Sequence, residues 1–447
     1  MKKPRLTLAT VLAVALAVAP RPAAAQVPTA ADTSLGGFLG TFSDSTDRYF
    51  GISAAPVDTA GLDTVLFDSA LHPPRRWRLG LAPIFDFSRV DGSTPGLSAS
   101  VSATPPEPEQ TGWGKLQGGI AHANGPDVVL GSVRYTNRLS LARQPFDLDL
   151  WGGRKTAHLD RDDEGLLTFA RALLWGNDWT QYYRDEGFEG SLTHRHGWWR
   201  ASAGYRDVLQ SPLHTTATWN LFKRDLEIPG NLPATRGRAH EIEVTAAVRW
   251  PRLPLHTEIG YQTSSRRLGS DFEYRRLRAA AGLDLTLGHF ASLVPQFSYG
   301  RLTGDLLPQA SFYLGGGGTL RSLHRDQRGG SGLALAKLDL IGAQDLLALL
   351  HIPHPAALPL QGALFAATGA VWGLDPAGGT VLRGGDWPDR REWVSEAGAS
   401  LLYNSALFPT LRCSYVWPIG PGPREGRWAV SITRPLDLLS ASPEGGE

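Results

Sequence analysis

Alternation of apolar and polar residues with a period of two is the feature that most constrains this chain. In the run that begins at residue 77, Trp77, Leu79 and Leu81 alternate with Arg78 and Gly80. Similar runs recur at residues 97–103, 241–250, 283–287 and 428–433. A period of two puts one set of side chains on each face of a β-strand, so the sequence predicts an all-β fold.

Two all-β architectures produce such runs. A soluble sandwich turns the apolar face inward, whereas a membrane β-barrel turns it towards lipid and lines its lumen with small and charged residues. The chain has 14 Trp, 11 Tyr and 51 Gly, which suits aromatic girdles and many turns. Residues 26–447 contain no run of ~18 apolar residues that would form a spanning helix. We therefore expect a transmembrane antiparallel β-barrel.

Residues 1–25 have the organisation of a signal peptide. Lys2, Lys3 and Arg5 precede an apolar stretch at residues 6–19, and three alanines end the segment at residue 25. The apolar stretch is too short to span as a helix, and the small residues fit a cleavage site. We expect an exported chain; a retained N-terminal anchor is the alternative.

The remaining chain divides into three parts by composition. Residues 26–74 contain six aspartates and one arginine and show little periodicity. This pattern predicts a short periplasmic N-terminal segment, or else a plug over the barrel mouth. Residues 75–438 are expected to form the outer-membrane β-barrel, and residues 439–447 a C-terminal tail.

The length of the alternating region favours 16 strands. A spanning strand uses ~10 residues, so residues 75–436 leave room for short periplasmic turns and longer outer loops. Twelve or fourteen strands also fit. An even number puts both chain ends in the periplasm. Residues 344–351 read as a helical turn, which we expect within a periplasmic connection between two late strands.

A glycine-rich segment at residues 314–340 carries the most distinctive motif. Gly317-Gly318-Thr319-Leu320-Arg321-Ser322-Leu323 resembles the extracellular loop of the BamA/TamA-type outer-membrane barrel superfamily, also called the bacterial surface antigen family. Residues 365–369 resemble the next strand, with Ala367 at the position of an expected aspartate, and residues 87–92 resemble the first hairpin. The resemblance implies that this loop folds into the lumen. Members usually carry POTRA domains, so this chain is expected to be a member without them.

The arginine of this loop is expected to hold it in place. An unpaired charge inside a lumen is costly, so Arg321 needs a carboxylate partner. Asp339, on the strand that follows, is the candidate. The predicted loop lock therefore consists of Arg321, Asp339, Gly317 and Gly318.

The resemblance implies help with insertion or transport of proteins or lipids in the cell outer membrane. The first and last strands would then form a weakly paired lateral seam, for which the candidates are Leu79, Val430, Ile432 and Pro435. Proline cannot donate to a ladder and suits a strand edge. The alternative is a passive pore or a structural barrel that self-associates as a homodimer through that seam.

Other classes of function have little support in the sequence. Residues 26–447 lack the Gly-x-Ser-x-Gly motif of a hydrolase and the complete motif of a P-loop. Cys413 is the single cysteine, and Glu241 and Glu243 read as ion-pair rungs of a lumen. The 44 basic and 43 acidic residues give no basic excess for nucleic acid. We expect no enzyme activity, cofactor or metal; the expected partners are outer-membrane lipid, protein or lipid clients, and a second copy.

Overall fold

The computed structural model describes residues 77–103, 114–141, 144–159, 166–176, 178–222, 230–353, 359–373, 387–390, 392–403, 410–420 and 425–433. The predicted signal peptide, the N-terminal segment 26–74 and the tail 439–447 lie outside these residues.

Almost all strands belong to one antiparallel sheet. In its first half these are β1 (Trp77–Ser88), β2 (Gly92–Ala103), β3 (Lys115–Ala123), β4 (Val128–Leu141), β5 (Gln144–His158), β6 (Tyr182–His196), β7 (Trp199–Pro212), β8 (Gly237–Arg249) and β9 (Leu255–Ser264). In its second half these are β10 (Tyr274–Leu283), β11 (Leu285–Leu287), β12 (Ala291–Gly304), β15 (Gly332–Gly342), β16 (Leu360–Trp372), β17 (Val394–Tyr403), β18 (Thr410–Ile419) and β19 (Arg427–Thr433). A separate small hairpin is formed by β13 (Phe312–Leu314) and β14 (Arg328–Gly330).

The described residues give a 17-stranded sheet, but β10 and β11 are two parts of one strand. Both pair with β12 in a single continuous register, and the interruption faces Pro295, which has no N–H to donate. The described residues therefore form a wall of sixteen strands, and each pairs with its neighbour in this wall. The predictions of an antiparallel barrel and of sixteen strands are confirmed.

The two faces of the wall differ as a membrane barrel requires. Leu79 and Leu81 of β1 are 79% and 76% exposed on the outer face. Further large exposed apolar residues on this face include Leu97, Ile120, Val133, Ile259 and Leu364. An apolar exterior of this extent is stable against lipid and would be an aggregation surface in water.

The lumen face carries paired charges instead. Arg206 of β7 donates to Glu189 at 2.7 Å and to Glu241 at 3.2 Å, and it also pairs with Asp185. Glu241 accepts a further hydrogen bond from Tyr274 at 2.6 Å. The prediction that Glu241 is an ion-pair rung is confirmed. Arg206 and Glu241 are tolerated at such depth because they are paired with each other and hydrogen-bonded.

Connections of different length lie at the two ends of the wall. One end has the short turns, for example between β6 and β7, and also α2 (Leu346–Leu349) between β15 and β16. The helical turn predicted there is confirmed. The other end has the long connections, including α1 (Leu166–Trp175) between β5 and β6. We call these the inner and outer ends. Within the described residues, no helix is both long and apolar enough to cross a membrane.

Candidate functional site: the tongue in the lumen

The longest described loop, residues 305–331 between β12 and β15, folds inward; we call it the tongue. Its tip is closed by Gly315 and Gly316, whose φ angles of 128° and 93° are accessible mainly to glycine. A Cβ atom at Gly315 would collide with the carbonyl of His324. Gly318 contributes its carbonyl, which accepts a hydrogen bond from Lys337 of β15 at 2.8 Å. The lumen location expected from the resemblance is thus observed.

The tongue fills the lumen with an apolar core. Leu314, Leu320 and Leu323 are almost completely buried. They belong to a cluster that includes Trp151 of β5 and Val371 of β16, on distant parts of the wall. Burying each leucine contributes about 1.5–3 kcal/mol. A loop that touches such distant strands shows that the sheet curves around it.

Arg321 is buried in this core without the predicted ion pair. Its guanidinium lies over the ring of Phe365 at 4.3 Å, and its Nε has no hydrogen-bond partner. Burial lowers the pKa of this guanidinium to about 10. The attraction of a desolvated cation to an aromatic face is worth about 2 kcal/mol and holds the side chain in place.

Asp339 instead pairs with Arg412 of β18, so the prediction that it pairs with Arg321 is wrong. Arg412 donates to Asp339 at 2.5 Å and to Ser400 at 3.0 Å. Its guanidinium also lies over Phe365, at 5.3 Å. Asp339 is directly opposite Phe365 in the β15–β16 register, and both guanidinium groups lie over this ring. The negative charge of Asp339 still attracts the Arg321 guanidinium, although the two side chains form no ion pair in the described structure.

Glu396 of β17 is the acid that holds the tongue. Its two carboxylate oxygens accept the backbone N–H groups of Arg321 at 3.0 Å and Ser322 at 2.6 Å. The side chain is 1% exposed. In the β16–β17 register it stands opposite Ala367, the position where the resemblance led us to expect an aspartate. The small alanine leaves room on the lumen face, and the acid comes from the adjacent strand.

The tongue also contacts the last strand and the outer loops. Arg427 of β19 donates to the carbonyl of Ser322 at 3.4 Å. His324 stacks on Trp179 with ring centroids 4.1 Å apart, and Asp326 accepts the N–H of Gln181 at 3.2 Å. Burial raises the pKa of Asp326 to about 6. The wall therefore anchors the tongue at Arg321 and Ser322, and the loop between β5 and β6 anchors it at His324 and Asp326.

The first hairpin takes part in the same outer layer. Arg89, in the turn between β1 and β2, is 1% exposed and donates to the carbonyl of Thr180 at 2.7 Å and to Gln181 at 3.0 Å. Asp91 pairs with Arg184 of β6 at 2.7 Å. The turn is thus folded over the outer end of the lumen. This contact holds the outer end of β1 in place.

Three of the candidate seam residues, Leu79, Val430 and Ile432, lie on the first and last described strands. Leu79 and Val430 are exposed on the outer face. Ile432 pairs with Leu411 of β18; its side chain, like the whole of Pro435, is outside what the structure describes. Among the described residues, no backbone ladder joins β1 to β19: β1 pairs with β2, and β19 pairs with β18.

Sequence reasoning missed Glu396 and Arg412. Each is the one charged residue of its strand, β17 or β18. When a strand otherwise consists of small, polar uncharged and apolar residues, its single charged side chain has to face the lumen and needs a partner there. That signal identifies both residues, although it does not identify the partners.

These features define an outer-membrane β-barrel whose lumen is filled by an inward-folded loop. No protein family model matches the chain, and no curated protein matches it. Among solved structures it is similar to BamA from Haemophilus ducreyi lacking POTRA domains 1–3, with a TM-score of 0.49 and 12% identity over 80% of this chain and 70% of that one. It is also similar to CdiB from Acinetobacter baumannii, with a TM-score of 0.41 and 12% identity over 80% of this chain and 59% of that one. For CdiB from Escherichia coli the TM-score is 0.42 and the identity 11%, over 81% of this chain and 63% of that one. The chain thus spans less than two thirds of either CdiB chain. The assignment of the fold rests on the strand pairing and on the two faces of the wall.

Arg321→Ala is expected to loosen the tongue moderately. The substitution removes the contact with Phe365 and leaves a gap in the core, at a cost of about 2 kcal/mol. Trypsin should then cleave faster after Arg325 and Arg328 in the folded barrel. Phe365→Leu, which removes the ring and keeps the cation, should act in the same direction. Cleavage rates equal to those of the parent protein in both variants would show that this contact does not hold the tongue.

Proposed function

We propose that this barrel helps to place or move proteins or lipids in the outer membrane through a lateral seam between β1 and β19. The observation that carries the proposal is the pairing at these strands. The described part of β19 has 7 residues, against 12 in β1, and the described residues of the two strands form no ladder with each other. Unpaired strand edges are templates for pairing with another extended chain.

The filled lumen supports a lateral route over passive diffusion. The tongue core, the Glu396 carboxylate and the Lys337–Gly318 hydrogen bond hold the tongue inside the lumen, where it would obstruct a diffusion pore. A substrate that cannot pass through the lumen has the seam as its route. Lipid of the outer membrane then surrounds the apolar outer face of the wall and is also a candidate client.

The contact between Arg427 and Ser322 gives the seam a connection to the tongue. Arg427 is the first residue of β19, and its partner directly follows Arg321. Movement of the tongue would therefore change a contact of the seam strand. The proposed cycle couples release of the tongue to opening of the seam.

A second function is self-association as a homodimer through the same edges. The terminal position of β1 and β19 in the described sheet favours it, because the edge strands of two copies can pair with each other. In that case the barrel has a structural role and no client. We expect no enzyme activity in either case.

Cysteine pairs across the seam distinguish these functions. In a Cys413→Ser background, Leu79→Cys combined with Val430→Cys should cross-link within one chain in proteoliposomes. Leu79→Cys with Val101→Cys is the positive control, because these residues are directly opposite in the β1–β2 register. Cross-links only between chains would support the homodimer. The absence of both kinds, with the control pair intact, would contradict a seam at these strands.

The lateral function needs a second readout. Parent protein in liposomes should speed the insertion of an unfolded eight-stranded outer-membrane barrel several-fold over empty liposomes. Cross-linking across the seam should abolish that gain, and a reductant should restore it. Insertion at the rate of empty liposomes for the parent protein, or full activity after cross-linking, would rule out protein insertion through the seam.

A further inference from the structure

The tongue meets two other parts of the chain in one buried layer at the outer end. Its residue Asp326 is 6% exposed and contacts the segment 178–182, which leads into β6. The turn between β1 and β2 contacts the same segment through Arg89, which donates to the carbonyl of Thr180 at 2.7 Å. The tongue and the first hairpin are therefore held by one short segment of the β5–β6 connection.

The carboxylate of Asp326 has few hydrogen bonds for a buried charge. Its Oδ2 atom accepts the backbone N–H of Gln181 at 3.2 Å. Its Oδ1 atom is buried and has no hydrogen-bond partner among the described residues. An ionised carboxylate offers about four acceptor positions, and a buried charge is costly unless it is paired and hydrogen-bonded. The ionised form of Asp326 is therefore poorly stabilised when the tongue is docked.

A second buried acid stands in the same layer. Asp178 is 2% exposed, and its negative charge acts on Asp326. The carboxylate of Asp178 accepts the O–H of Tyr182 at 2.8 Å and the N–H of Thr180 at 3.0 Å. Because these donors fix Asp178 in place, relief from the repulsion between the two acids has to come from Asp326.

Two arginines attract Asp326 in this layer, but burial has the larger effect. Arg89 directs its Nη atoms to oxygen atoms of Thr180, Gln181 and Gly230. Arg325 precedes Asp326 in the tongue. Burial raises the pKa of Asp326 to about 6, although Arg325, the N–H of Gln181 and Arg89 all act in the opposite direction.

The docked tongue therefore binds a proton at Asp326 more tightly than the released tongue does. In the released tongue water surrounds the carboxyl group, and its pKa returns to the ordinary value of 3.8. The cost of burying the charge is fully present above a pH of about 6 and disappears as the pH falls towards 3.8. These two values give a rise of about tenfold in the ratio of docked to released tongue between pH 7.5 and pH 5.

We propose that Asp326 is a proton-operated latch, which tightens docking of the tongue in an acidic medium and loosens it in a neutral one. In acid, a neutral carboxyl group lies in the layer with Asp178, and the repulsion between the two acids is absent. At neutral pH the carboxylate favours release, and the segment 178–182 then loses one of the two elements that it holds together. The latch acts on docking of the tongue and does not depend on the seam between β1 and β19.

His324 titrates in the opposite direction and has to be separated from Asp326. It stacks on Trp179, and burial, together with the positive charge of Arg427, lowers its pKa. Its protonation in acid therefore favours release of the tongue. A comparison of two proteins that both contain His324 removes this contribution.

Amide hydrogen exchange in the mature protein tests the latch. Mass spectrometry follows peptides that cover residues 314–331, and each rate is referred to the intrinsic rate of the unfolded peptide at the same pH. At pH 7.5, tongue amides should be at least tenfold better protected in Asp326→Asn than in the parent protein. This advantage should be about tenfold smaller at pH 5, where the parent carboxylate takes up its proton. The same comparison in a Glu396→Gln background covers the case of a tongue that opens too rarely to measure.

Asp127→Asn is the matched control. Asp127 is exposed at the β3–β4 turn and has a φ angle of 55°, close to the 53° of Asp326, so the substitution removes one charge from a similar backbone conformation. It should leave protection of the tongue unchanged at both pH values. Asparagine favours positive φ, but that preference does not titrate, so only the pH-dependent part of the gain counts. An advantage of Asp326→Asn that is equal at both pH values would overturn the proposal, and so would weaker protection than in the parent protein at pH 7.5.

Discussion

Glu396→Gln is expected to release the tongue from the wall. The carboxylate accepts two backbone N–H groups, and a hydrogen bond to a charged acceptor contributes about 1.5–3 kcal/mol. Glutamine keeps the size of the side chain but offers one acceptor and turns its NH₂ group towards a second donor. We expect docking to weaken by about 3 kcal/mol, which is more than 100-fold in the ratio of docked to released tongue. Tryptic cleavage after Arg325 and Arg328 in the folded barrel measures it.

Glu392→Gln is the control for this variant. Glu392 is a nearby acid that accepts the N–H of Asp389 at 2.7 Å in an exposed turn outside the lumen. It should leave cleavage of the tongue unchanged. If Glu396→Gln were cleaved as slowly as Glu392→Gln, the carboxylate would not be the clamp, and Arg321 with the apolar core would have to hold the tongue unaided.

Asp339→Asn is expected to destabilise the barrel more than the tongue. It leaves Arg412 buried without its ionic partner, and breaking a buried pair in this way costs about 3–5 kcal/mol. Folded and unfolded barrels migrate differently on gels, so gel mobility measures unfolding. We expect Asp339→Asn to unfold at a clearly lower temperature than the parent protein. Asp339→Asn with Arg412→Gln should recover part of that loss, because the double variant leaves no unpaired charge.

A double-mutant cycle tests the corrected pairing directly. Asp339→Asn and Arg412→Gln should show a coupling energy of at least 1 kcal/mol in thermal or denaturant unfolding. Asp339→Asn and Arg321→Met should show a much smaller one, because Asp339 pairs with Arg412 and acts on Arg321 only as a neighbouring charge. A larger coupling to Arg321 than to Arg412 would restore the pairing that the sequence predicts.

The wall was predictable from the sequence because its cause is local. Period-two alternation determines which side chains meet lipid, so Leu79 and Leu81 could be assigned to the outer face before any strand was paired. The inward loop and its arginine followed from a motif around Arg321. The helical turn at residues 344–351 was readable from a short apolar run next to prolines.

The pairing of charges inside the lumen was not predictable, because it depends on register and reach across several strands. Asp339 lies three strands away from Arg412 in the order β15, β16, β17, β18, and the contact crosses Phe365 and Ser400. Glu396 could be recognised as a lumen-facing acid, but its choice of backbone N–H groups depends on how the tongue folds at Gly315 and Gly316. Choosing Asp339 as the partner of Arg321 assumed that nearness in sequence decides the pair.

Single-channel conductance of the mature protein in a planar bilayer tests the central claim most directly. If the tongue seals the lumen, the parent protein should be closed or only briefly open. Glu396→Gln and Arg321→Ala should then open it, the first more than the second. A steady open pore in the parent protein, unchanged in both variants, would contradict the seal and would make passive diffusion the function of the barrel.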